Sequence, residues 1–351
     1  MSGRQGNEGS DPVRNRQWLL KTRPHGLPSP GDFELVESEL SSRDLKDGEL
    51  LVRNRLFLCA PTMRNWMSGQ ANSLFPVQPL GRPMMAPAAG EVVHSKHAAY
   101  RPGDRLTYFG SWSDYEIIAP AGGNVSRVAD DMSLTEAMGP LGLNPQTAYF
   151  GVTRVAPPKP GDVALVSGAA GSTGATAAQI YRLLGARVIG VAGGSEKCEW
   201  LLKTCRLDAA IDYKNENVRD RLKSLCPDGV NIFFDNVGGD ILQAAVDHMA
   251  RRGRIVVCGQ IASYNDDATA EGPRNMMRVV YGSIRIEGFL RSDYLEHVCE
   301  AVGRLREWMA RGEVVHRIDI RRGFSAAPAV FADLFNGRNA GTLLIEVDIK
   351  S

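Results

Sequence analysis

The feature that most limits how this 351-residue chain can fold is a short turn, Gly168-Ala169-Ala170-Gly171-Ser172-Thr173-Gly174, and what flanks it. A continuous apolar run at 162–167 leads into it, a helical pattern at 175–184 leads out, and a second apolar run follows at 187–192. Strand, turn, helix and strand in that order make a βαβ unit. The alternation continues with an expected helix at 196–204, strand at 209–211, helix near 217–225, strand at 231–234, helix at 242–250 and strand at 254–258. Strands and helices alternating at these lengths predict a doubly wound parallel sheet with right-handed crossovers, an α/β fold.

The turn also carries chemistry. Gly168, Gly171 and Gly174 stand three residues apart where backbone amides and a helix N-terminus can meet a pyrophosphate. A tight strand-to-helix connection needs similar residues, and it is the surrounding βαβ pattern that favours a dinucleotide. An NAD site would place an acid at the tip of the next strand, to accept the ribose 2′-hydroxyl. That tip reads Val191-Ala192-Gly193-Gly194-Ser195, without an acid. Lys197 supplies a charge suited to a 2′-phosphate, so the sequence favours NADPH over NADH. The rival account makes Glu196 and Lys197 solvated residues of a first helical turn.

Outside this half the grammar is different. β-like runs at 49–53, 90–93, 104–108 and 115–118 are punctuated by Gly and Pro, as in a compact, mainly antiparallel β-domain, and a last strand pattern occupies 341–347. The expected division is a disordered tail at 1–16, a substrate domain at 17–133 plus 315–351, and a dinucleotide-binding domain at 134–314. The 41 basic residues nearly cancel the 40 acidic ones, which argues against nucleic acid and anionic membranes as partners. No run approaches the ~20 apolar residues needed to span a bilayer. Six dispersed cysteines lack any C-x-x-C pair and fit free thiols in a reducing cytoplasm.

Several strings together, in order from 18 to 347, resemble one family: RPHGLPSPGDFEL, MRNWM, YRPGD, GAAGSTGATAAQI, VAGGSEKCEWL, DAAIDYKNE, FFDNVGG, RIVVCGQIASYN, IRIEGFL and GRNAGTLLIEV. The chain is similar to the zinc-independent medium-chain dehydrogenases/reductases that include leukotriene B4 12-hydroxydehydrogenase/prostaglandin reductase, plant alkenal double-bond reductases and bacterial curcumin reductase. The resemblance implies a Rossmann sheet beside a GroES-like catalytic domain, and a homodimer joined through sheet edges. It implies NADPH-dependent reduction of the conjugated C=C bond of an α,β-unsaturated ketone or aldehyde, with hydride to the β-carbon and a proton to the α-carbon. The implied cofactor contacts are Gly168, Ala170, Gly171, Ser172, Thr173, Gly174 and Gly194, with Lys197 on the 2′-phosphate and Tyr213 beside it. Asn236, Cys258, Gly259, Gln260, Ile261, Phe289 and Asn339 complete the set, and residues 265–274 are expected to form a lid.

Tyr264 is the candidate catalytic residue. Its hydroxyl both donates and accepts, and enone reduction creates oxyanion charge that needs a donor; a plain loop tyrosine is the alternative. Catalytic zinc is not expected: Cys59 follows a strand as a ligand would, but Ala86 and Pro87 cannot ligate, and three protein ligands are needed. His25, His94, Cys198 and Cys205, the last two on one expected helix, fit structural roles; Trp66 and Trp112 fit either pocket or core. The chain departs from the family at Ala60 and Thr62, where an Asp and often a pocket Tyr are lost, and at Thr342, where a Lys is common. A quinone or ketone reductase, and a protein that binds NADPH without turnover, are the competing functions.

Overall fold

The computed structural model describes residues 12–69, 77–120, 124–265 and 272–348. Residues 266–271 of the expected lid and 1–11 of the expected tail lie outside them. Seven strands come first: β1 (Val13–Leu20), β2 (Phe33–Leu40), β3 (Leu50–Leu58), β4 (Met85–Ser95), β5 (Arg105–Ser111), β6 (Tyr115–Ile118) and β7 (Val125–Arg127). Six more, β8 (Val163–Ser167), β9 (Arg187–Ala192), β10 (Ala209–Asp212), β11 (Val230–Asp235), β12 (Met249–Val257) and β13 (Arg285–Gly288), form one parallel sheet. The chain then returns to the first half as β14 (Ile318–Arg322) and β15 (Thr342–Glu346).

The parallel sheet runs in the order β10-β9-β8-β11-β12-β13, the doubly wound arrangement expected from the alternation. Its strands are apolar on both sides because helices cover both faces. Ala164 and Val166 join the core on one face and Leu165 the other, as do Ile232 and Phe234 against Phe233. The mixed, largely antiparallel sheet runs β14-β15-β3-β4-β5-β7, with β6 paired to β3, and closes over Phe57, Trp112, Phe324 and Phe331.

Three expectations are corrected. Residues 13–16 are not part of a disordered tail, because β1 begins at Val13 and pairs antiparallel with β2. Its polar letters conceal this. Asn15 is buried and accepts the Tyr115 amide at 2.9 Å, and Arg16 bonds Asp114 at 2.7 Å and Asp348 at 3.2 Å. The helix expected at 242–250 runs Gly239–His248, and Met249 already pairs with Val230 in β12. The helix carrying Cys198 is Ser195–Lys203, so Cys205 lies beyond it. Among the described residues no helix is long and apolar enough to cross a membrane.

The two sheets are stitched along the helix Ser172–Leu183. Gln179 uses both ends of its amide on Val315, accepting from its N–H at 2.8 Å and donating to its carbonyl at 2.9 Å. Arg182 donates to the Glu313 carbonyl at 3.0 Å, and Gly171 bridges Gly341. The glycine turn is thereby held from both halves of the molecule.

At the opposite side of the β-domain, the Glu116 carboxylate accepts the Ser111 amide at 3.0 Å and hydroxyl at 3.1 Å. Burial nevertheless pushes its pKa up from 4.5 to about 7. Between those values the folded chain keeps a proton that the unfolded chain has lost, so stability falls as pH rises through this window and levels off above it. Denaturant unfolding at pH 5 and pH 8 should show the parent losing roughly 2–3 kcal/mol more than Glu116→Gln across that interval.

Candidate cofactor site and cleft

Backbone shape comes first at the glycine turn. Gly168 has φ +57°, and a Cβ at Gly174 would lie 2.3 Å from the Gly168 carbonyl oxygen. Only glycine lets the helix start this close to the turn. The helix has no side-chain cap, so its first amides are offered at the point where the dipole favours an anion. Ala170 and Ser172 are buried at this turn, with Gly171 and Thr173 between and beside them.

The tip of β9 lies alongside. Gly194, at φ +101°, donates its amide to Asp212 Oδ1 at 2.7 Å. Asp212 ends β10, one strand over, and the Gly194 amide with the Asn215 side chain holds its carboxyl below the usual range. That acid is committed to shaping the loop. A Cβ at Gly193 would stand 2.8 Å from the half-exposed Tyr213 hydroxyl, so the tyrosine lies directly on the glycine. Lys197 Nζ reaches across to the Gly337 carbonyl at 2.8 Å. Its pKa is lowered by burial and then by Lys214, which places two cations beside the small residues.

The tips of β8 and β11 are joined by a fully buried pair that sequence reasoning missed. Ser167 Oγ donates to Asp235 at 2.7 Å and accepts the Asn236 amide at 2.8 Å. Asp235 also accepts the amides of Val237 and Gly238 at 3.0 and 3.1 Å; burial still pushes its carboxyl up. The signal lies in strand order, since Ser167 and Asp235 end neighbouring strands that stand far apart in sequence. Asn236 Nδ2 returns to the Ser167 carbonyl at 2.7 Å.

From here the chain after β12 is hung in place. Cys258 and Gly259 donate their amides to the Asp235 carbonyl at 2.8 and 3.1 Å, and Ile261 reaches the Asn236 carbonyl at 3.4 Å. Burial and then Asp235 push the Cys258 thiol up to about 12. The Tyr264 hydroxyl oxygen accepts the Gln260 amide at 3.2 Å, leaving its proton for another partner. Burial raises its pKa, and the Asn65 side chain, from the other half of the molecule, comes near enough to temper the rise. Tyr264 therefore holds its proton at the junction of the halves.

Two expected cofactor residues sit at the margins. Phe289 packs against the core of the parallel-sheet domain, its ring centroid 6.5 Å from Tyr294. Asn339 donates to the Gly341 carbonyl at 3.0 Å, shaping the loop that meets Gly171. Trp112 is core, tilted against Phe33 at 5.4 Å and edge-on to Phe331 at 5.9 Å; Trp66 is buried edge-on against Phe109 at 5.2 Å.

The residues do not fit a catalytic zinc. Cys59 is buried and its thiol pKa is driven far up by desolvation, whereas a zinc ligand is a thiolate. Ala86 and Pro87 lie in β4, where neither can ligate, and His94 is in the same strand. Among the described residues no three His, Cys, Asp or Glu side chains converge.

Comparison with known proteins completes the description. Residues 16–127 match the family described as the N-terminal domain of oxidoreductase, and residues 172–307 that described as zinc-binding dehydrogenase. NADPH-dependent curcumin reductase of Escherichia coli (strain K12) is 33% identical over 345 residues, 97% of this chain and 99% of that protein. The NADP(+)-dependent 2-alkenal reductase of Nicotiana tabacum is 33% identical, covering 96% and 99%. The structure of CurA from Vibrio vulnificus in complex with NADPH superposes with a TM-score of 0.88 at 31% identity, covering 95% and 99%.

Gly174→Ala should collide with backbone rather than a movable side chain. Its cost is expected at roughly 1–3 kcal/mol in denaturant unfolding, together with loss of NADPH binding by calorimetry.

Proposed function

We propose, from the premise that this chain belongs to the medium-chain dehydrogenase/reductase family alongside the curcumin, alkenal and prostaglandin reductases, that it is an NADPH-dependent reductase of the conjugated C=C bond of α,β-unsaturated ketones or aldehydes. The observation that carries this is a relationship extending over nearly the whole chain to reductases of this kind, with the dinucleotide turn intact at its centre. We read the reaction as zinc-independent, a reading supported by Ala86 and Pro87, which cannot ligate, and by the protonated, desolvated Cys59 thiol.

NADPH, when bound, supplies the hydride. Gly168, Ala170, Gly171, Ser172, Thr173 and Gly174 hold its pyrophosphate through backbone amides and the helix N-terminus. Gly194 opens room beside Lys197, Lys214 and Tyr213 for the 2′-phosphate. Asn236, Cys258, Gly259 and Ile261 would form the wall toward the nicotinamide end, with Phe289 a further contact from later in the chain and Asn339 one on the loop that meets Gly171. As negative charge grows on the substrate carbonyl oxygen, the Tyr264 O–H, kept protonated by burial, orients substrate and ribose and assists protonation at the α-carbon.

The thiols, none of which is disulfide-bonded, suit the cytoplasm. A homodimer joined along β13 suits the exposed Ile286 on that edge strand, and Met276, Met277, Val280 and Tyr281, exposed on the helical segment that precedes it, would add apolar surface to such an interface.

Incubation with NADPH and a panel of enals, enones and quinones should yield saturated carbonyl products. Alcohol or hydroquinone products would move the assignment to a carbonyl or quinone reductase, and cofactor binding without consumption to a non-catalytic protein. Tyr264→Phe should lower kcat roughly 100-fold; unchanged turnover on every reduced enone removes Tyr264 from the chemistry. Lys197→Ala should weaken NADPH binding by roughly 10–100-fold while leaving NADH binding unchanged.

A further inference from the structure

One hydrogen-bond chain enters the glycine turn from the other half of the molecule. His316 Nε2 lies 2.7 Å from Thr342 Oγ1, and Thr342 Oγ1 lies 2.5 Å from Ser172 Oγ. Thr342, which opens β15, and Ser172, the first residue of the Ser172–Leu183 helix, are both buried. The position of His316 is fixed on its N-terminal side by the two Gln179–Val315 bonds, and that of Thr342 by its amide on the Arg317 carbonyl at 2.9 Å. Burial lowers the imidazole pKa to about 4, so the ring is neutral at physiological pH and carries its proton on one nitrogen only.

Each hydroxyl in the chain has a single proton to donate, so what matters is which of Thr342 and Ser172 donates to the other; two orders show the contrast, and a third, in which Thr342 accepts from both neighbours, also spends the Ser172 proton on Thr342. In one, His316 Nε2–H donates to Thr342, Thr342 donates to Ser172, and the Ser172 proton is free to point into the turn. In the other, Ser172 donates to Thr342, Thr342 donates to an unprotonated Nε2, and Ser172 presents only lone pairs. A pyrophosphate oxygen is an acceptor and is compatible with the first order alone.

We propose that His316 is a positioning residue for the dinucleotide: through Thr342 its Nε2–H holds the Ser172 hydroxyl in the orientation that donates to the pyrophosphate. The proposal rests on the cofactor assignment above and goes beyond it. It makes a residue of the β-domain, outside the turn, part of cofactor affinity, and it states which imidazole tautomer the bound enzyme contains. Because the pyrophosphate is common to both nicotinamide cofactors, the effect is independent of the 2′-phosphate and of Lys197.

The test uses the full chain with selectively 15N-labelled histidine, and needs no turnover. The His316 ring in the complex with NADP+ should show the Nε2–H tautomer; a ring that remains Nδ1–H in the complex overturns the proposal. His316→Phe and Thr342→Val should each weaken NADP+ and NAD+ by the same factor, roughly tenfold, in calorimetric titration. In a Ser172→Ala background His316→Phe should have no further effect, whereas equal losses in both backgrounds would mean that the histidine acts only through packing. If a variant does not fold, the tautomer measurement on the parent still decides. Failure of the parent to bind any nicotinamide cofactor defeats the cofactor assignment itself; binding with the wrong tautomer defeats this proposal alone.

Discussion

The hydrogen bond between Ser167 and Asp235 sits where the strand order of the parallel sheet reverses, and the rest of the site is built out from it. A carboxylate buried this deeply is costly unless donors surround it. Ser167 Oγ and the amides of Val237 and Gly238 meet that need, and in doing so lock the tips of β8 and β11 together. The glycine turn leaves from one tip, and the segment 236–239 leaves from the other. The Asp235 carbonyl then takes the amides of Cys258 and Gly259, which sets the start of the segment bearing Tyr264. Three chain segments, those to which the proposed function assigns the dinucleotide, thus share a single buried anchor, at the switch point where open α/β sheets bind ligands.

The second organising element is the seam between the sheets. The helix behind the turn is bound to the segment 313–316 by side-chain-to-backbone bonds from Gln179 and Arg182, while Lys197 reaches Gly337 on the far loop. The glycine turn and Lys197 on one half are therefore tied to backbone on the other. Asn65 approaching Tyr264 extends the same relation to the segment after β12. A reacting centre at such a junction, as the proposed function has it, would be shielded from water, which strengthens each polar interaction there.

The parallel half was legible because its elements are long, apolar and periodic, and the glycine spacing has one dominant structural use. β1 was not. Its letters VRNRQWLL alternate poorly, because Asn15 and Arg16 are placed by bonds to Tyr115 and Asp114, nearly a hundred residues away. Long separations, 68 and 170 residues, likewise hid Ser167 with Asp235 and Ser172 with Thr342: serine, threonine and aspartate are common at strand ends, and nothing in local sequence marks which of them will meet. The glycines, Lys197 and Tyr264 could be singled out because the roles proposed for them depend on local spacing or residue type. His316 had no such mark, since its partner is determined by how the chain returns from β14 to β15.

Cys258 has a consequence for the kind of molecule this cleft can tolerate. Conjugated carbonyls are electrophiles, and a thiolate adds to them readily. Thiol reactivity follows the deprotonated fraction. Burial and the neighbouring Asp235 push the Cys258 thiol up to about 12, which keeps the sulfur protonated near neutral pH. The buried carboxylate that anchors the sheet thus also keeps the adjacent sulfur inert toward electrophiles such as the enones that the proposed function assigns as substrates.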